Sequence, residues 1–209
     1  MLTLGWIFGR NHDRGLLGPL TSKIREEAAQ RIGETSGSVL DLGCGNGLFF
    51  DLLNQNAEAH VFGLDRSREL LEQARAKMNR TPFKAVDFLI GDAFALPFKT
   101  NHFQRVVCLN LLLNLREKSD IHRLLREVWR VCDSRARLIV DIRNLNNPIV
   151  RVKYWLHQWY GNFPTKAYVS GEIAEMLKQV GFRIVEIKPV GPVSWLIPFA
   201  YLIEAEKSD

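Results

Sequence analysis

Residues 39–47 read Val39-Leu40-Asp41-Leu42-Gly43-Cys44-Gly45-Asn46-Gly47. An apolar run carrying one carboxylate leads straight into glycines at every second position. This is the pattern of a buried strand ending in a loop whose backbone a ligand can approach closely. In a doubly wound sheet such crevices lie at the carboxyl ends of the strands. A dinucleotide fingerprint, Gly-x-Gly-x-x-Gly counted from Gly43, needs glycine at position 48, where the chain has Leu48. Asp41 argues in the same direction. A carboxylate beside the loop disfavours a pyrophosphate and suits a ligand that bears an ammonium group and a sulfonium.

Working outward, the residues before the loop predict a leading helix over about 20–32, with Ile24, Ala28 and Ile32 spaced by four along one face. The breakers Gly33 to Gly37 separate it from the strand Ser38–Leu42. Beyond the loop, Leu48 to Asn54 continues as a helix. A second unit follows: strand His60–Asp65 and helix Ser67–Met78, with Ser67 as N-cap and Leu70, Leu71 and Ala74 facing inward. Strands are predicted at Val86–Ile90, Arg105–Leu109 and Arg137–Ile142. Between the last two lies an amphipathic helix, Glu117–Trp129, with Ile121, Leu124, Leu125 and Val128 on its apolar stripe. Strands alternating with helices at this spacing specify right-handed crossovers and a mostly parallel sheet covered on both faces.

From about 147 to 170 the pattern changes to an aromatic and basic stretch that reads as a lid-like insertion. Helix Ser170–Gln179 stops at Gly181, a C′-type glycine, before strand Phe182–Ile187 and a final strand at about Pro198–Glu206. No repeat or interdomain linker interrupts the chain, so residues 1–209 are read as one domain.

Four segments together resemble the class I S-adenosylmethionine-dependent methyltransferases over roughly residues 20–206. Val39 to Gly47 is similar to that family's first motif, and Gly63-Leu64-Asp65-Arg66-Ser67 to its second acidic motif. Gly91-Asp92-Ala93-Phe94-Ala95-Leu96-Pro97-Phe98 resembles the adenine segment, and Phe103 to Leu115 the fourth-strand segment, with Gln104 where the family usually has Asp. The resemblance implies an α/β fold, a Rossmann-like, doubly wound, mostly parallel seven-stranded sheet with an antiparallel last strand. It implies S-adenosyl-L-methionine as cofactor, with Asp41, Gly43, Cys44, Gly45, Asn46 and Gly47 around the methionine moiety. Asp65 and Arg66 would lie at the ribose, Asp92 and Ala93 at the adenine, and Asn110 beside the cofactor. An acidic side chain at position 65 also suits both hydroxyls of a ribose on chemical grounds. Taken singly, Asp41 also suits capping of backbone amides, Asp65 the start of a turn, and Asp92 an ordinary turn.

Composition narrows the class. Over 209 residues, 46% are hydrophobic and 24% charged, which is ordinary for a globular protein. Cys44, Cys108 and Cys132 are odd in number and far apart, so neither a disulfide framework nor a zinc site is supported, and a reducing cytoplasm fits best. Met1 to Phe8 lacks a basic n-region and a cleavage site. The apolar stretch Val190–Ile203 is too short to span a bilayer and is broken by prolines. The net charge of +5 comes from scattered basic residues rather than a run, which favours solubility over a nucleic-acid field.

Methyl transfer from a sulfonium is an in-line displacement, so positioning alone can suffice, and no residue is assigned as a base. The five histidines are single and form no metal pair; no metal is expected. Asn110-Leu111-Leu112-Leu113 is unlike the Asn-Pro-Pro-Tyr motif of exocyclic-amine methyltransferases, and no Pro-Cys nucleophile is present, which disfavours nucleic-acid bases as acceptors. The pattern resembles the small-molecule, quinone-biosynthesis-like branch. Asn114, Tyr154, Trp155, His157 and Trp159 are candidates for an apolar or lipid-like acceptor. The aromatic residues equally suit packing of the lid onto the sheet, and a secondary reading has Arg151, Lys153 and the tryptophans in peripheral contact with an anionic membrane. RNA or protein methylation, and a non-catalytic S-adenosylmethionine-binding regulatory module, stay open as alternatives.

Overall fold

Val39 and Leu40 alternate across the first strand, and the helices on either side divide accordingly. The computed structural model describes residues 18–33, 37–53, 59–79, 86–115, 117–160, 166–191 and 197–208, the side chains of 18 and 157–160 excepted. In chain order the elements are α1 (Gly18–Ile32), β1 (Gly37–Leu42), β2 (Ala59–Asp65), α2 (Arg68–Met78), β3 (Val86–Ile90), β4 (Phe103–Cys108) and α3 (Lys118–Val131). They continue with β5 (Cys132–Arg143), α4 (Pro148–Tyr160), α5 (Ser170–Val180), β6 (Phe182–Val190) and β7 (Ala200–Lys207).

The seven strands form one sheet in the order β3-β2-β1-β4-β5-β7-β6. β1 to β5 are parallel, and β7 runs antiparallel between β5 and β6. This is the α/β arrangement expected. The chain winds outward from β1 through β2 to β3, then returns to start β4 on the other side of β1. The carboxyl ends of β1 and β4 therefore flank a topological switch point, where a crevice opens.

Strand alternation distributes the core between the two faces. Leu40, Leu42, Val106, Cys108, Leu138 and Val140 pack with Ile121, Leu124, Leu125 and Val128 of α3 and with Ile173 and Leu177 of α5. Val39, Val61, Val107 and Ile139 pack with Ile24, Ala28 and Ile32 of α1 and with Leu71 and Met78 of α2. By the period of two, Asp41 shares the face of Val39. Ser67 caps α2 as predicted, accepting from the Leu70 N–H, and Gly181 ends α5 at φ 107°, a conformation that favours glycine.

Three local expectations change. No α-helix runs from Leu48 to Asn54; a single 3₁₀ turn, Phe50–Leu52, leads into extended Leu53, and residues 54–58 lie outside the described set. The amides of Phe50, Leu52 and Leu53 bond to carbonyls three residues back. The tighter turn puts Phe49, Phe50 and Leu53 all into the core, and Phe50 meets Phe88 edge to face at 5.3 Å. Leu70 faces outward beside the glycine loop instead of inward. Residues 148–160 of the aromatic stretch form α4. The Asn147 carboxamide oxygen accepts from the Ile149 and Val150 amides, and Pro148 opens the first turn.

Basic residues on α1, β5 and β6 are tied up in ion pairs: Arg31 with Glu186 at 2.5 Å, Lys188 with Glu27 at 2.6 Å and Arg137 with Glu204 at 2.7 Å. Part of the positive charge is thereby neutralised locally. Among the described residues no helix is long and apolar enough to cross a membrane, and no group of three His, Cys, Asp or Glu is placed to hold a metal.

Candidate functional site

The loop after β1 turns sharply because three of its residues adopt a backbone that only glycine takes without strain: Gly43 at φ 78°, Gly45 at 54° and Gly47 at 76°. Space is short as well. A Cβ on Gly47 would stand 3.1 Å from the Cβ of Ala74, and one on Gly43 would stand 3.2 Å from Leu111. The amides of Gly43 and Cys44 are held by the Leu64 carbonyl at 2.7 and 3.2 Å, which anchors the loop to the end of β2.

Asp65 completes that anchor. Its Oδ2 accepts from the Gly45 amide and its Oδ1 from the Ser67 amide, both at 2.9 Å. Each carboxylate oxygen still has a lone pair for a further donor, as a ribose diol would require. Asp92 lies after β3 at the same edge and is exposed, with Oδ1 accepting from the Phe94 amide at 2.9 Å. It makes the expected turn while facing solvent at the carboxyl edge of the sheet. Ala93 follows it half-buried, and the Arg66 side chain is exposed.

Asp41 is almost completely buried under the loop. Burial, then the nearby Asp65 carboxylate, pushes its pKa up to about 7, with Arg25 opposing. A buried carboxylate with a neighbour of the same sign is stabilised by a cation placed beside it. This chemistry fits a ligand carrying a sulfonium and an ammonium group. Cys44 is buried too, and burial followed by the two carboxylates holds its thiol far above the ordinary range, which suits packing rather than nucleophilic attack.

On the other side of the switch point, Asn110 follows β4 with φ 57°. Its amide donates to Oδ1 of Asp141 at 2.5 Å, and its carbonyl accepts from the Asn114 side chain at 2.8 Å. Its own carboxamide oxygen accepts from Arg143 at 2.5 Å, while Arg143 also pairs with Asp141. Both members of that ion pair are buried at the carboxyl end of β5. Sequence reasoning missed them. The signal was Asp141-x-Arg143, charges where a buried apolar strand ends.

Burial raises the phenol of Tyr154 on α4 above its ordinary range, with the positive charge of Arg143 opposing. Tyr154, Trp155, Val152, Arg151, Leu145, Lys166 and Ala167 line a groove of about 440 Å³. The Lys166 amide donates to the Leu113 carbonyl at 2.7 Å, which fastens this wall to the end of β4. Asn110, Asn114 and Tyr154 thus belong to one neighbourhood. The side chains of His157 and Trp159 lie outside the described set.

Gln104, the departure from the usual aspartate, is structural. Its Oε1 accepts from the Ser38 amide at 2.7 Å and its Nε2 donates to Asp133 at 3.1 Å, joining the start of β1 to β5.

Comparison with known proteins identifies the family and the fold. The family described as "Methyltransferase domain" matches residues 39–135. The demethylmenaquinone methyltransferase of Lactococcus lactis subsp. lactis (strain IL1403) is 34% identical over 212 residues, covering 88% of this chain and 81% of the relative. Among solved structures, an S-adenosylmethionine-dependent methyltransferase from Methanosarcina mazei superimposes with TM-score 0.72 at 20% identity, covering 86% of this chain and 96% of that one. Magnesium protoporphyrin IX methyltransferase from Synechocystis PCC 6803, solved with bound S-adenosylhomocysteine, gives 0.72 at 18% identity, covering 93% and 88%.

Proposed function

This chain belongs to the class I S-adenosylmethionine-dependent methyltransferase family, and from that membership we propose that its acceptor is an apolar hydroquinone of the naphthalene type. The observation that carries the reading is the groove beside the switch point, walled by Leu145, Val152, Tyr154 and Trp155 and edged by Arg151 and Lys166. An apolar slot with a few polar groups suits a flat aromatic ring. The Lactococcus relative is named for demethylmenaquinone, which is consistent with that shape. A quinone ring is electron-poor, so the reduced hydroquinone is the form able to attack an electrophilic methyl.

S-adenosylmethionine supplies that methyl on a sulfonium. The residues assigned to hold it are Asp41 and the loop Gly43 to Gly47 at the methionine end. Asp65 and Arg66 take the ribose, Asp92 and Ala93 the adenine, and Asn110 the acceptor-facing side. Their task is orientation in near-attack geometry. Asn114, Tyr154 and Trp155 face the acceptor.

The experiment incubates the protein with S-adenosylmethionine and a short-chain, unmethylated prenyl-naphthohydroquinone kept reduced. S-adenosylhomocysteine and a singly methylated naphthol product are expected in equal amounts. Turnover on RNA or protein extracts with none on the hydroquinone would sink the reading.

A specific observation favours contact with a lipid surface as an accompaniment. Ile149, Val152 and Trp155 on α4 are 53%, 57% and 58% exposed, next to Arg151. An apolar ridge with basic neighbours suits an anionic bilayer from which a lipid-like acceptor enters. Failure to co-sediment with phosphatidylglycerol vesicles at low salt would count against it.

A further inference from the structure

Asp92 to Phe98 leave β3 at the carboxyl edge of the sheet and form no helix or strand. The segment is pinned from outside at both ends. At its start the Gly91 amide donates to the Asp65 carbonyl at 3.1 Å. A short turn follows, in which the Phe94 amide donates to Oδ1 of Asp92 at 2.9 Å and the Ala95 amide to the Asp92 carbonyl at 3.1 Å. Beyond the turn, side chains of α3 take over. The Leu96 amide donates to Oε2 of Glu127 at 2.9 Å. Arg130 donates from Nη2 to the Leu96 carbonyl at 3.0 Å and from Nη1 to the Phe98 carbonyl at 2.8 Å. Its Nε and Nη2 also meet the Glu127 carboxylate, at 3.0 and 2.9 Å, so one guanidinium serves four acceptors. Leu96 is buried, and an amide or carbonyl left there without these partners has little water to turn to. One helical turn before Glu127, Arg123 lies over the Phe94 ring at 5.1 Å. Positions 123, 127 and 130, spaced by four and three, share one face of α3.

We propose that Glu127 and Arg130 are positioning residues for nucleobase selection: by fastening Leu96 and Phe98 to α3 they hold the Asp92 turn where its carboxylate selects the 6-amino group of adenine. The inference rests on the assignment of Asp92 and Ala93 to the adenine and adds the part that makes that site selective. A carboxylate only accepts, and its Oδ1 is already engaged by Phe94. The amino group of adenine donates to it. A base with a carbonyl at position 6 meets it acceptor to acceptor. Rejection of that base requires a fixed carboxylate, because a turn free to swing aside escapes the repulsion. Asp92 is itself exposed, so packing around its side chain does not fix it. The Gly91 bond to Asp65 and the α3 clamp do, one on each side of the turn.

The test measures, by calorimetry on the full chain, the affinities of S-adenosylhomocysteine and of S-inosylhomocysteine, its deaminated analogue with a carbonyl at position 6. Wild type should favour the adenosyl compound by at least about hundredfold. Arg130→Lys keeps the charge but cannot serve four acceptors. Glu127→Gln keeps an oxygen for the Leu96 amide but sets an NH₂ against Arg130. Each should shrink the preference by about tenfold, because the adenosyl compound weakens while the inosyl compound does not. Gln104→Ala breaks the link between β1 and β5 at the amino end of the sheet and is the structural control. It should lower the thermal midpoint and leave the preference unchanged. Should one clamp variant fail to fold, the other decides. Clamp variants that lose affinity for both compounds equally, or a Gln104→Ala chain whose preference shrinks as theirs does, would overturn the proposal, since either marks a general loosening. A wild type that discriminates while both clamp variants keep its preference also overturns it and leaves Asp92 on the adenine. A wild type that binds both compounds alike removes Asp92 from the adenine, and the proposal with it.

Discussion

The amide of Gly45 donates to Oδ2 of Asp65 at 2.9 Å, and this bond ties the loop after β1 to the end of β2. One carboxylate thus shapes the loop and remains available to a ligand. Removing it should cost both functions. Asp65→Ala leaves the Gly45 and Ser67 amides without their acceptor, and calorimetry with S-adenosylhomocysteine should show affinity lower by at least about tenfold. Asp65→Asn keeps only one carbonyl oxygen and should fall between. An unchanged affinity in Asp65→Ala would remove Asp65 from the site.

Asp41 predicts a pH dependence with a definite sign. Its pKa is raised to about 7 by burial and by Asp65, with Arg25 opposing, so below that value the free protein holds Asp41 neutral. A sulfonium cation is bound best by the ionised form. Affinity for S-adenosylmethionine should therefore rise with pH up to about 7 and level off above it, falling by up to about tenfold for each unit below. Uptake near neutrality should release protons, readable as a buffer-dependent heat. S-adenosylhomocysteine lacks the sulfonium charge and should show a shallower slope, and Asp41→Asn should flatten both. In the ligand-free protein the raised pKa acts in the opposite sense. The stability that neutral Asp41 contributes is complete below the ordinary carboxylate value and is lost as pH rises to about 7.

Two glycine substitutions should move stability in opposite directions. Gly47→Ala forces an alanine to φ 76° with Ala74 at 3.1 Å, and should lower stability by about 1–2 kcal/mol or more. Gly171→Ala lies in α5 with nothing within 4 Å of the new methyl, and should raise stability by about 0.5–1 kcal/mol. Thermal or urea unfolding measures both. Equal shifts would contradict the backbone argument.

The thiols should be silent in the native state. Cys44, Cys108 and Cys132 are free and buried, and burial pushes Cys132 up to about 12 and raises the other two well above the ordinary thiol range. An aromatic disulfide reagent should titrate none of them rapidly before denaturation and all of them after it. Rapid native labelling of Cys44 would show that the glycine loop opens.

Legibility in the sequence followed the range of the interaction. The helices with stripes such as Ile121, Leu124, Leu125 and Val128 were readable because their burial depends on period alone. The turn at Phe50–Leu52 was not. Its apolar residues suit a helix, and only the packing of Phe50 beside Gly63 and Phe88 selects the tighter form. Asn147-Pro148 was a local start signal for α4 that the aromatic residues after it obscured.

The parallel α/β layout, the glycine loop and the acidic residues at the carboxyl ends of β1, β2 and β3 are legible in the chain itself, because each depends on residues close together in it. The packed sheet alone brings Asp141 and Arg143 of β5 against Asn110 after β4. Asn110 precedes Asp141 by 31 positions, and nothing in the local pattern around either encodes the contact. A buried ion pair forms only where packed strands bring its partners together and exclude water, so it is a property of the sheet rather than of any one segment.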